Sequence, residues 1–574
     1  MPEPYIEIQN AEGKRNVPVT DQPITVGRHS SNVVALTDGQ ASRYHCVIEK
    51  APEGGLRVRD LDSSNGTRVN GQLIKTMRIG DGDTVTVGKT SLKLVAPEMA
   101  PVGAGARGGG GGGGGGRGAA AEKVVEVEVE FDEEEDEEAG AADFERVLVR
   151  TAESLTDKKF NELDIALVNA RGQLAHAARN SAEKPKKAAA EQSREAVGIL
   201  RLILLICFRT RASDIHIEPK QDDFSVRIRV DGTMVDTVRL PKDMGVRVLS
   251  LVKILADIDI AQRNIVQEGH FSSRVPDRRV DYRVSFAPAM FGQKLVIRIL
   301  DTANTPYHVW DLQLPEWMFE VIQAAMKQDS GMFLVCGPTG SGKTSTLYAV
   351  IRDIDVGERN VVTIEDPVEI QLDGVTQIPV NEAQGNTFAA LLRSVLRQDP
   401  DAILVGEVRD PETAKIALQA AITGHLVFST VHSRDSLGTI FRLLDLGLEP
   451  YLVASGLQLV LAQRLVRQLC PACKVPAKPT ADQLQKMGKA GEGCDKIYSP
   501  RGCPRCVGTG YAGRRGVFEL LKVNEQMREI MLKSPTIGDI QKTLEGTKFV
   551  KLAESGYLLV AQGVTSLEEV ERSM

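Results

Sequence analysis

The sequence predicts a multidomain fold: an N-terminal β-sandwich, a disordered linker, a helical segment, an α+β domain, and an α/β phosphate-loop domain with a cysteine-rich insert. Three observations carry this reading. At 574 residues the chain exceeds what a single core can organise. Between residues 98 and 142 its composition collapses to glycine and acid, which cannot bury a core. And Gly337-Pro338-Thr339-Gly340-Ser341-Gly342-Lys343-Thr344 fits the phosphate-loop pattern G-x-x-x-x-G-K-S/T without a departure.

The context of that loop is the required one. Met332-Phe333-Leu334-Val335-Cys336 before it reads as a buried parallel strand. Ser345-Thr346-Leu347-Tyr348-Ala349-Val350-Ile351 after it reads as a helix. The glycines let backbone N–H groups turn inward around phosphate oxygens, and the helix N-terminus adds partial positive charge. Lys343 is expected to reach the β- and γ-phosphates of ATP, and the Thr344 hydroxyl to ligate Mg²⁺.

The net charge of −7 belongs to one segment. Eleven acidic residues and one lysine lie between Glu122 and Glu138, which leaves the rest of the chain about +3. That balance argues neither for nor against a nucleic-acid partner. MPEPYIEIQN lacks the basic and apolar regions of a signal peptide. The most apolar run, residues 202–208, is too short to span a bilayer and reads as a core helix. The expectation is a cytoplasmic chain. Cys46, Cys207 and Cys336 then read as small core residues in a reducing compartment.

Residues 1–97 alternate short β-type runs with Gly and Asp-Gly turns, the pattern of an all-β sandwich. Within them stand Gly27-Arg28, Ser42-Arg43-Tyr44-His45, Ser63-Ser64-Asn65-Gly66-Thr67 and Val69-Asn70-Gly71. Taken singly, Asn65-Gly66 and Asn70-Gly71 are hairpin turns and Arg28 a surface charge. The ordered set resembles the forkhead-associated (FHA) domain, a phosphothreonine-binding sandwich. The resemblance implies a phosphothreonine-containing partner. Arg28, Ser42, Arg43, Ser64 and Asn65 supply the charged fork and small donors that a phosphate requires. His45 fits a buried structural role.

Residues 98–142 hold nine consecutive glycines and then the acidic run, a flexible self-repelling tether. Residues 143–188 show helical spacing and are expected to form a small helical hairpin. Residues 189–310 read as α+β. Arg227 and Arg229 lie two apart in a strand and so share a face. On these residues alone a solvated face is the simplest account. Residues 311–574 read as α/β, with strands ending near Glu365, Glu407 and His432, where ligands of open α/β sheets bind.

These pieces arrive in the order found in secretion and type IV pilus motor ATPases. They resemble that family's Walker A motif (337–344), Asp box (362–369), Walker B region (around 396–407) and His box (423–433). The resemblance runs upstream through Ala212-Ser213-Asp214-Ile215-His216-Ile217-Glu218-Pro219 and downstream through Ala462-Gln463-Arg464-Leu465-Val466-Arg467. It implies a RecA-like ATPase domain behind a PAS-like N-terminal motor domain, assembled as a homo-hexamer. It also implies peripheral association with the inner membrane through secretion or pilus platform proteins, and no nucleic acid. Glu365 takes the role of the base that positions water. Glu407 would hold Mg²⁺ through water or aid that base. His425 and His432 could sense the γ-phosphate, a core histidine being the alternative for each. Arg227, more than Arg229, would be presented to a neighbouring subunit's nucleotide.

Cys470, Cys473, Cys503 and Cys506 form two C-x-x-C hooks in an insert over 470–506. Four thiolates suit tetrahedral structural Zn²⁺. The insert resembles the type II secretion and pilus-assembly branch, since retraction motors lack it. A disulfide is the alternative, disfavoured in a reducing compartment. Two function classes follow: a mechanochemical ATPase, or a phosphopeptide-binding scaffold whose nucleotide site only switches its shape. A decayed site would have lost Lys343, Glu365 or Glu407, and all three stand. The motor is the stronger reading.

Overall fold

The computed structural model describes residues 5–95 apart from 11–12, 20–22, 29–31, 37, 39, 43, 51–54, 62 and 64, and then residues 144–155, 159–176, 189–533 and 536–574. The tether expected over 98–142 lies outside the described residues, as do Arg43 and Ser64. The chain divides into two compact units, residues 1–130 and 131–574.

The first unit is the expected sandwich. One sheet runs in the order Gly13–Pro18, Tyr5–Asn10, Thr90–Val95, Thr84–Val87, Thr67–Val69, Gln72–Ile74. The other runs Val34–Ala35, Ile24–Gly27, Cys46–Lys50, Leu56–Asp60, Thr76–Ile79. Leu56–Asp60 shows the driving alternation: Leu56 and Val58 point into the core while Arg57 and Arg59 point outward. Asn70, at φ 49°, and Gly71, at φ 83°, make the tight turn between Thr67–Val69 and Gln72–Ile74. The hairpin reading is therefore right for that pair.

The second unit begins with an eight-stranded antiparallel sheet. Its centre is Gln267–Val275, Arg278–Ala289, Gly292–Leu300, Asp214–Pro219 and Asp223–Val230. The helix Ala189–Thr210 packs on it and buries the apolar run 202–208, as expected. Among the described residues no helix is long and apolar enough to cross a membrane.

The helical hairpin expected over 143–188 is a correction. Among the described residues there, only Phe144–Ser154 is a longer helix. Ala166–Val168 and Leu174–His176 are strands that pair at the edge of the eight-stranded sheet, against Gln267–Val275. The apolar positions 165, 167 and 168 satisfy a short buried strand as readily as a helix. The turn decides it. The Asn169 side chain accepts from the N–H groups of Arg171 and Gln173, and Gly172 adopts φ 77°. Leu148, Ile165 and Leu167 join the core of the α+β domain, so this segment belongs to that domain.

The α/β domain carries a seven-stranded sheet ordered Thr376–Pro379, Val361–Glu365, Ala402–Val405, Leu426–Val431, Gly331–Cys336, Leu457–Leu469, Tyr511–Lys522. All neighbours are parallel except the last pair. Gly331–Cys336 and Leu426–Val431 are buried at every position, the signature of strands covered on both faces. Cys336, Glu365, Val405 and Val431 bring the carboxyl ends of four parallel strands to one edge. The cysteine insert leaves the sheet between Leu457–Leu469 and Tyr511–Lys522. Within this unit, Asp231 of the α+β domain accepts from the Gly513 N–H at 2.7 Å, and Arg283 pairs with Glu369 at 3.2 Å.

Candidate functional site

A cleft of about 420 Å³ opens at that sheet edge. Thr339, Gly340, Gly342, Lys343 and Thr344 line one side, and Glu365, Glu407 and His432 line the rest. The sequence therefore named the groups that the fold gathers. The loop can approach this closely because two positions have no side chain. A Cβ on Gly337, at φ 154°, would meet the Gln463 carbonyl oxygen at 2.5 Å. On Gly342, at φ 86°, it would meet the Gln463 amide at 2.8 Å.

Gln463 has a role that the sequence alone does not disclose. Its Nε2 donates to the Ser341 carbonyl at 2.8 Å, and its Oε1 accepts from Thr346 Oγ1 at 2.7 Å. One side chain thus clips the loop to the helix Lys343–Asp353. Arg464 donates to the Gln463 carbonyl at 2.9 Å and to the Arg434 carbonyl at 2.5 Å. Nothing local marks the pair, since the strand Leu457–Leu469 also carries Gln458, Arg467 and Gln468. Ser341 is buried, and the carbonyls of Gly337 and Pro338 accept from Lys343 Nζ at 2.9 and 3.1 Å. Burial lowers the Lys343 pKa from its ordinary value.

Glu365 ends the strand Val361–Glu365 and is 4% exposed. Its Oε1 accepts from Thr363 Oγ1 at 2.5 Å and from Gln377 Nε2 at 3.0 Å. Its Oε2 accepts from the Tyr348 hydroxyl. Burial, and then the carboxylate itself, push the Tyr348 phenol well above its ordinary pKa. Across the cleft, Glu407 pairs with Arg409 at 2.6 Å and lies 3.8 Å from His432 Nε2. Burial, and then the Lys343 charge, lower the His432 pKa, so its ring is neutral at pH 7. His425 precedes the strand Leu426–Val431 at the end remote from the cleft, with Nδ1 3.1 Å from the Ala420 carbonyl. It is no part of this site.

The cleft does not include Arg227. Its guanidinium donates to Glu218 at 2.8 Å, and Lys294 pairs with the same carboxylate at 2.9 Å. Burial opposes ionisation of Glu218, but these two cations outweigh it and pull its pKa down to about 2. Arg229 lies 3.6 Å from Asp214. The shared face is as expected, and both arginines are paired within their own sheet.

The four insert cysteines converge. Their sulfurs all lie within 4.8 Å of one another, at 3.9 Å for Cys470–Cys503, 3.8 Å for Cys473–Cys506 and 3.7 Å for Cys503–Cys506. A tetrahedral site with Zn–S bonds of about 2.3 Å has S···S edges of about 3.8 Å. The fit is close, and these separations are far beyond a disulfide bond. The N–H groups of Cys503 and Gly510 each lie 3.2 Å from Cys506 Sγ, oriented to stabilise a thiolate. Cys494 stands outside the cluster.

In the sandwich unit, Arg28, Ser42 and Asn65 meet around one loop. Arg28 Nε donates to the Ala41 carbonyl at 2.7 Å, and its backbone N–H donates to the Ser42 carbonyl at 2.9 Å. Asn65 donates to the Gln40 carbonyl at 2.7 Å. His45 is fully buried beneath them, accepting from the Ser42 N–H at Nδ1 and facing the Gly66 carbonyl with Nε2. Its structural role is as expected.

The family model described as Type II/IV secretion system protein matches residues 190–572, and the FHA domain model matches residues 24–88. The type IV pilus assembly ATPase PilB of Myxococcus xanthus is 40% identical over 380 residues, covering 65% of this chain and 67% of that protein. The type II secretion system ATPase E of Vibrio cholerae is 40% identical over 393 residues, covering 68% of this chain and 78% of that protein. Among solved structures, the Legionella pneumophila ATPase DotB superposes with a TM-score of 0.48 at 21% identity, covering 68% of this chain and 97% of DotB.

Proposed function

Because this chain belongs to the Type II/IV secretion system protein family, we propose that its cleft hydrolyses ATP and that turnover drives a type II secretion or type IV pilus assembly machine. One observation supports this best: Lys343, Glu365 and Glu407 line a single cleft at the carboxyl ends of parallel strands. The loop N–H groups and Lys343 bind the phosphates. Glu365 orients and deprotonates the attacking water, and Glu407 faces it across the cleft. Thr344 and Glu407 are the groups that would hold Mg²⁺, which neutralises charge on the phosphate oxygens when bound. Glu365→Gln should still bind ATP while turnover falls by roughly 10²–10⁴-fold. Parent-rate hydrolysis by that variant would remove Glu365 from the role. A wild-type chain that binds ATP and never hydrolyses it would favour the phosphopeptide scaffold instead.

Four finer readings rest on the same base. The ring is a homo-hexamer in which Arg227 leaves Glu218 to meet a neighbour's nucleotide. Turnover unchanged on dilution to a monomer, followed by light scattering, counts against it. The cysteine cluster holds one structural Zn²⁺. The sandwich reads a phosphothreonine partner, and platform proteins hold the motor at the inner membrane. Co-purification with and without residues 1–97 separates the partners of the two units.

A further inference from the structure

Glu365 is the most heavily tethered group in the cleft, and the tethers are not distributed evenly. Oε1 takes two donors, Thr363 Oγ1 at 2.5 Å and Gln377 Nε2 at 3.0 Å. Oε2 takes one, the Tyr348 hydroxyl. A carboxylate oxygen has two lone-pair directions. Oε1 is therefore saturated, and the remaining acceptor direction belongs to Oε2. Two of the three donors stand on rigid elements of the parallel sheet. Thr363 is two residues back on the same strand, hence on the same face. Gln377 is on the neighbouring strand Thr376–Pro379, and its amide is itself fixed by the Leu372 N–H at 2.7 Å and the Ile370 carbonyl at 3.1 Å.

Tyr348 is different. It lies on the helix that begins at Lys343, so it moves with the phosphate loop rather than with the strand. Its ring is 1% exposed, which fixes the hydroxyl by packing. The same hydroxyl accepts from the Glu369 N–H at 3.3 Å. It thus joins three parts of the site: the loop helix, the carboxylate, and the segment 366–370 that borders the cleft.

Resting on the assignment of Glu365 as base, we infer that Tyr348 is a positioning residue for hydrolysis: its hydroxyl sets which lone pair of Glu365 Oε2 is offered to the attacking water. Thr363 and Gln377 fix the carboxylate plane, and Tyr348 fixes the rotation that remains. A buried phenol that keeps its proton is suited to this, because it donates without competing as a base. A structural account would need only that a buried hydroxyl be satisfied. That account does not explain why the acceptor is the one oxygen with capacity left for water.

The test is one double-mutant cycle on the whole chain. Tyr348→Phe keeps the ring and removes the hydroxyl. It should lower kcat roughly 10- to 100-fold while ATP binding, measured with a fluorescent nucleotide, changes less than about twofold. In a Glu365→Gln background the same change should lower residual single-turnover hydrolysis less than about twofold, because it acts through Glu365. An equal loss in both backgrounds overturns the proposal, as does Tyr348→Phe turnover at the parent rate. If Glu365→Gln itself retains parent activity, the base assignment has failed instead, and the two failures are distinct. Should Tyr348→Phe not fold, Tyr348→Leu, which also lacks the hydroxyl, serves in its place. It must show the same loss of kcat, the same retained ATP binding and the same disappearance in the Glu365→Gln background.

Discussion

The proposed nucleotide cleft and the proposed phosphopeptide site would both recognise phosphate, and they are built in opposite ways. In the cleft, the functional groups sit at the ends of fully buried parallel strands and are held by other side chains: Glu365 by three donors, the loop by Gln463. In the sandwich, Arg28 and Asn65 are exposed on loops and are held through the carbonyls of Ala41 and Gln40. The difference follows from the tasks. Hydrolysis requires a water, a base and a γ-phosphate within tenths of an ångström, so its groups are tied to rigid elements. Recognition of a dianion requires charge and donors, which loops on a rigid scaffold supply.

If that contrast is right, damage to the cleft should be severe and local. Lys343→Ala removes the cation that meets the β- and γ-phosphates, and turnover should fall by about 10³-fold or more. Phosphothreonine-peptide affinity should not change. Phosphate release and calorimetry on the same preparation measure both. A joint loss would mean that the two sites are not independent.

The cysteine cluster sharpens the comparison from another side, since as a structural zinc site it would be rigid without being catalytic. Four thiolates saturate a tetrahedral ion and leave no open position. Cys470→Ser should reduce bound zinc from one equivalent to near zero by elemental analysis. It should also loosen the chain locally. Met487 and Ile497 of the insert pack with Val560, Leu567 and Val570. Exchange of amides in the helix Leu567–Ser573 should accelerate, with a local cost on the order of several kcal/mol. Unchanged exchange after complete zinc loss would show that the lobe holds itself together.

A milder effect is expected in the sandwich. Arg28→Ala removes one charge-assisted contact from an exposed site, about 2 kcal/mol or roughly 30-fold in affinity. Ser42→Ala should cost about 1 kcal/mol. Titration of a phosphothreonine peptide panel reads both, with unphosphorylated peptides as the zero. Equal losses would imply that charge is not what the site reads.

How much of this was legible in the sequence divides along the same line. Phosphate-loop residues and strand-end carboxylates were legible because their chemistry forces a fixed spacing along the chain. Gln463, Tyr348 and Gln377 were not assigned, because their roles depend on contacts 122, 17 and 12 residues away. No local pattern marks an amide that clips a loop across a sheet. The segment 165–176 was misread for a related reason. A three-residue strand carries too little periodicity to exclude a helix, and its identity is set by the turn at residues 169–172 together with its partner Gln267–Val275. Cys46, Cys207 and Cys336 were read correctly as core, because burial of a lone small apolar residue needs no partner.

The smallest expected effect concerns His45, which separates the rigid base of the sandwich site from its exposed rim. His45 Nδ1 accepts from the Ser42 N–H at 3.0 Å, so the ring is neutral and Nε2–H donates to the Gly66 carbonyl at 3.2 Å. Protonation at Nδ1 would place two N–H groups face to face. Burial accordingly lowers the folded pKa below the ordinary value of 6.5. Between those two values the unfolded chain binds a proton that the folded unit refuses, so stability rises with pH there. The stability of the first unit should be level above about pH 7 and decline as pH falls below 6.5. The slope should be no steeper than about 1.4 kcal/mol per pH unit, and the decline should level off below the folded pKa. Amide exchange in the strand Cys46–Lys50, followed from pH 8 to pH 5 and corrected for intrinsic rates, measures it. His45→Asn should be less stable at pH 8 and lack this step. A wild-type unit that gains stability between pH 6.5 and pH 5.5 would mean that His45 gains an acidic partner on protonation, and the neutral-ring assignment would be wrong.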